Sequence, residues 1–80
     1  MRIIGTLPHP YVKITVFAMN MRYSVKFEMG QMEQTFKIRE SEILQSLEDI
    51  SLLLDDTFID ECLENFTLMS QCMEKAIQRK

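Results

Sequence analysis

Between Val12 and Met29 the chain alternates apolar and polar residues twice, and the parity of the alternation inverts halfway. In the first run the even positions Val12, Ile14, Val16 and Ala18 are apolar beside Lys13 and Thr15. In the second the odd positions Tyr23, Val25, Phe27 and Met29 are apolar, between Arg22, Ser24, Lys26 and Glu28. A period of two belongs to strands. A two-residue turn at Asn20-Met21 brings both apolar sets onto one face, pairing Ala18 with Tyr23, Val16 with Val25, Ile14 with Phe27 and Val12 with Met29. Two strands, 11–19 and 22–29, are therefore expected to form a hairpin.

The same rule extends to a third run. A turn at Gly30-Gln31 sets Met29 opposite Met32, Val25 opposite Phe36 and Tyr23 opposite Ile38, giving a strand over 32–39. Its one cost is on the other face, where Glu28 meets Glu33 and Arg22 meets Arg39; a longer second turn is the alternative. Upstream, residues 2–7 suit a short edge strand that stops at Pro8, because proline cannot donate to a ladder.

After Arg39 the period becomes helical. Ile43, Leu44, Leu47, Ile50 and Leu54 share one face, with Ser41 as N-cap and Glu42 at the positive end of the dipole, so a helix is expected over 41–54. A break at Asp55-Asp56-Thr57 precedes a second helix over 57–79, with Thr57 and Asp60 in capping-box spacing. Ile59, Cys62, Phe66, Met69, Met73 and Ala76 form its seam, and Phe58, Leu63, Cys72 and Ile77 widen the stripe to about half the circumference at about 100° per residue. Such a stripe suits two neighbours. At about 35 Å this helix is longer than an eight-residue strand of about 27 Å, so part of it is expected to overhang the sheet.

Composition narrows the class. Eighty residues, 46% hydrophobic and 26% charged with two Gly and two Pro, describe one domain rather than a disordered or collagenous chain. A chain of this size hides only about 60% of its unfolded surface on folding, which favours help from a partner chain. Residues 1–39 carry six Lys or Arg against two acids; residues 40–74 carry ten acids and no base. Cys62 and Cys72 lie roughly 15 Å apart along one helix, beyond disulfide reach. With no leader-like or membrane-spanning run, a cytoplasmic protein with reduced thiols is expected.

No residue set carries an enzyme signature. His9, the only histidine, sits between two prolines with no partner nearby, and the two cysteines lack chelating spacing. The acids Asp55, Asp56, Asp60, Glu61 and Glu64 do not have calcium-loop spacing and suit a helix N-terminus. No catalytic residue, metal or cofactor is assigned. The outer sheet face displays Lys13, Phe17, Arg22, Lys26, Lys37 and Arg39, a composition able to hold phosphates and stack bases, or to dock on an acidic protein. It lacks the RNA-recognition-motif sequences, and the acidic chain repels polyanions at long range.

The opening Arg2-Ile3-Ile4-Gly5-Thr6-Leu7-Pro8-His9-Pro10, followed by Lys13-Ile14-Thr15-Val16-Phe17, resembles small bacterial proteins of unknown function found in Bacteroidetes. The resemblance implies a bacterial cytoplasmic origin and no activity. Together these readings predict an α+β domain over 1–80, an antiparallel meander of three or four strands with one face under two C-terminal helices. The expected function is a non-enzymatic interaction or structural module, a homodimer joined through Phe58, Phe66, Met69, Cys72 and Met73. Single-stranded nucleic-acid binding on the basic face is the alternative.

Overall fold

The computed structural model describes all 80 residues. Four strands, β1 (Arg2–Leu7), β2 (Lys13–Met19), β3 (Arg22–Met29) and β4 (Met32–Arg39), form one antiparallel sheet in the order β1-β2-β3-β4. Two helices, α1 (Leu47–Leu53) and α2 (Asp56–Gln78), lie on one face, α1 on the β1 side and α2 on the β4 side. The protein is an α+β meander covered by C-terminal helices.

The register follows the parity argument. Ala18 pairs with Tyr23, Val16 with Val25 and Ile14 with Phe27; Val25 pairs with Phe36, Tyr23 with Ile38 and Met29 with Met32. Both turns have two residues. Asn20 and Met21 both adopt positive φ, 45° and 61°, the type I′ pattern that matches strand twist, while at the second turn only Gly30 does, at 63°. The Val12–Met29 pair does not form, because β2 starts at Lys13 rather than residue 11. The Tyr11 N–H donates to His9 Nδ1 at 3.1 Å, which bends the chain just before the strand. Val12 is nonetheless buried.

β1 is a full member of the sheet. A bulge between Ile3 and Gly5 lets Ile4 pack against the core while Gly5 faces Val16 and Leu7 faces Ile14.

α1 is shorter than expected and begins at Leu47, not residue 41. Ser41 and Leu44 instead close a tight turn with reciprocal backbone hydrogen bonds of 3.2 and 3.1 Å. Leu44 is thereby anchored in the core and Ile43 is left 77% exposed. The true N-cap is Ser46, whose Oγ accepts from the Asp49 N–H at 3.2 Å, while Asp49 Oδ2 accepts from the Gln45 N–H at 2.9 Å. α2 is likewise capped two residues earlier than expected. Asp55, not Thr57, accepts from the Phe58 N–H at 2.9 Å.

The core lies between the sheet and the helices. Val12, Ile14, Val16, Tyr23, Val25 and Phe27 meet Leu44, Ile50, Leu54, Cys62 and Phe66. Only twelve residues are buried, so each carries a large share of the stability.

Candidate self-association surface

α2 is held on the sheet through its N-terminal half. Phe58 packs on Phe27 and Phe36 with ring centroids 5.9 and 5.3 Å away, and Phe27 meets Phe36 edge-on at 5.7 Å. Gln34, on the inner face opposite Phe27, donates from Nε2 to the Cys62 carbonyl at 2.9 Å; Asn65 Nδ2 donates to Gln34 Oε1 at 3.5 Å. A polar side chain within an apolar row thus ties β4 to α2. Its position is readable from strand parity, but its helical partner is not.

Beyond Phe66 the cover ends. Phe66 is fully buried, whereas further along the helix Leu68 is 62%, Met73 63% and Ile77 65% exposed. Leu68, Met69, Cys72, Met73 and Ala76 form one continuous, entirely apolar shallow surface. On the sheet side of Met73 an open groove of about 740 Å³ separates the end of α2 from the Gly30-Gln31 turn, with Met29, Met32, Met73 and Ile77 among its lining residues. The seam that is core in the first half of α2 is free surface in the second.

This divides the five residues expected to self-associate. Phe66 lies wholly inside the protomer and Phe58 is half-buried in the aromatic cluster, so both serve the protomer's own core. Met69, Cys72 and Met73 are exposed, and Leu68 and Ile77 join them. Burial pushes the Cys62 thiol above its ordinary pKa, which keeps it neutral.

The outer sheet face carries the basic set, differently disposed than its composition implies. Lys26 Nζ sits 3.8 Å from Glu28 and 3.5 Å from Glu33, which offsets the repulsion of the facing Glu28 and Glu33. Lys13 pairs across strands with Glu28, Phe17 is half-buried beside Ser24, and Thr15 is buried within the row. Arg22 and Arg39 stand directly opposite each other, with Lys37 on the next outward row. Three cations, Arg22, Lys37 and Arg39, therefore gather without ion pairs at one end of the face, and Lys13 stands without one at the other. His9 serves its turn, with its ring edge-on to Tyr11 at 5.8 Å.

No group of three or more His, Cys, Asp or Glu is gathered to hold a metal ion, and no helix is long and apolar enough to cross a membrane. No family model, no curated protein and no solved structure matches the chain.

Proposed function

We propose that the protein is a non-enzymatic interaction module that self-associates through the C-terminal half of α2. The observation that carries this reading is the continuation of the α2 seam past the sheet, from buried Phe66 to exposed Met73 and Ile77. Contiguous apolar surface of this kind costs free energy in water and is relieved by association. Methionines suit such a surface, because their flexible, polarisable chains adapt to a partner. A second copy is the occupant favoured by charge: α2 opens with Asp55, Asp56, Asp60, Glu61 and Glu64 and closes with Lys75, Arg79 and Lys80, so the helix complements itself when reversed.

Sedimentation equilibrium of the full chain tests this directly. A monomer–dimer equilibrium at micromolar concentration, shifted towards monomer by Met69→Glu and Met73→Glu, is expected. A monomer at high micromolar concentration, unaltered by either change, overturns the reading.

A second reading rests on the Arg22–Arg39 pair, two like charges on directly opposite residues, neither of them in an ion pair. An acidic ligand, of which single-stranded nucleic acid is one class, would neutralise them. This reading draws less support from the remainder of the face, since Lys26 is already ion-paired. It requires oligonucleotide binding that weakens steeply with salt and falls in Arg22→Glu; no binding at low salt ends it.

A further inference from the structure

The exposed side of α2 is self-complementary at the level of single residues. Glu61, Asn65, Leu68, Cys72, Lys75 and Arg79 are all exposed and follow a 4-3-4-3-4 spacing. At about 100° per residue they fall within a stripe about 80° wide, roughly a quarter turn from the seam that packs on the sheet. Read along the helix, this stripe is acidic, then polar, then apolar at its centre, then basic. None of its charged groups has an ion-pair partner within the protomer, where Lys26 forms the only bridges.

We infer that the second copy docks antiparallel along this stripe, about a two-fold axis level with residue 70. This deepens the self-association reading and rests on it. Reversing the helix about that point sets Glu61 against Arg79 of the second copy, Asn65 against Lys75, and Leu68 against Cys72. Every pair occurs twice because the interface is isologous. The two Leu68–Cys72 layers form an apolar centre, flanked on the sheet side by Met69, Met73 and Ala76. The ionic pairs at either end fix the direction. A parallel arrangement would instead set Glu61 against Glu61 and Arg79 against Arg79, and like charges in register are repulsive.

The direction of pairing is read by charge reversal and by cross-linking of the full chain. Glu61→Arg or Arg79→Glu alone converts two attractive pairs into two repulsive ones and weakens dimerisation about tenfold in sedimentation equilibrium. The double variant Glu61→Arg/Arg79→Glu restores it. For cross-linking, Cys72 is first replaced by Ala, and Cys62 is buried. Chains carrying Glu61→Cys and chains carrying Arg79→Cys, mixed with a short bismaleimide, should yield the mixed dimer, and neither should yield a dimer alone.

A dimer in which Glu61→Cys chains cross-link to one another, or in which the double reversal fails to restore association, overturns the antiparallel arrangement and leaves the self-association reading standing. A monomer throughout overturns both.

Discussion

Leu47 occupies the space that a β-carbon on Gly5 would need. A β-carbon built there falls inside van der Waals range of Leu47 Cδ2 and lies 3.4 Å from Cδ1 and Cγ. This close approach of α1 to β1 depends on a residue without a side chain. Gly5→Ala is expected to destabilise by about 1 kcal/mol, at the low end for overpacking, because the Leu47 chain end can swing aside. In a Leu47→Ala background the same change should cost nothing. Urea unfolding of the four proteins of that cycle measures the coupling, and additive effects would refute the clash.

Met21 stands in the left-handed region at φ 61°, where a β-carbon is strained and asparagine, as at position 20, is better tolerated. The turn type calls for Asn-Gly, and Met21 is also 75% exposed, so its side chain contributes little packing. Met21→Gly should stabilise by roughly 1 kcal/mol, seen as a higher urea midpoint at constant slope. A lower midpoint would show that the methionine is held by contacts outside the turn.

The two halves of α2 should answer differently to truncation of their seam residues. Phe66→Leu, within the filled core, is expected to cost about 1–2 kcal/mol. Met73→Ala, on the open half, should leave monomer stability within about 0.5 kcal/mol. Thermal unfolding at concentrations low enough to keep the protein monomeric gives both values. A large loss in Met73→Ala would place that residue in the protomer's own core.

Tyr23 links stability to alkaline pH. Burial first, and then the carboxylates of Glu40 and Asp49, raise the pKa of its phenol above the ordinary value. The folded protein therefore holds this proton more tightly than the unfolded chain. The resulting stability is fully present below the unfolded pKa of about 10 and is lost as pH rises from there through the folded value. Cys62, raised by burial, acts in the same sense from about pH 9 upward. Tyr23→Phe should flatten the Tyr23 part of this decline. An unchanged alkaline slope in that variant would assign the decline elsewhere.

The sheet was legible because two independent constraints coincide: apolar parity and two-residue turns each demand the same pairing, from Ile14–Phe27 through Tyr23–Ile38. The start of α1 is not legible, because Ser41-Glu42 imitates a cap followed by a first-turn acid. Ser46, unlike Ser41, is followed three residues on by an acid, Asp49, but the same spacing at Thr57 and Asp60 does not mark the cap of α2, which is Asp55. The α2 seam was legible as a stripe, but not which half of it the sheet covers. That depends on how α2 crosses β4, set by long-range partners such as Gln34 with the Cys62 carbonyl and Phe58 with Phe36. No local pattern encodes such an angle, so Phe66 and Met73 looked equivalent in sequence.

Because every strand neighbours the one before it in sequence, the sheet can zip up in chain order with short loop closures. Leu44 and Ile50 cover the β1 side soon afterwards, but the β4 side stays bare until α2 arrives: Gln34 waits for Cys62, and Phe36 for Phe58. A chain whose sheet has paired before α2 docks therefore carries a completed layer that is bare along β4. That half-covered layer is the form most prone to sticking to other chains, and the docking of α2 removes it.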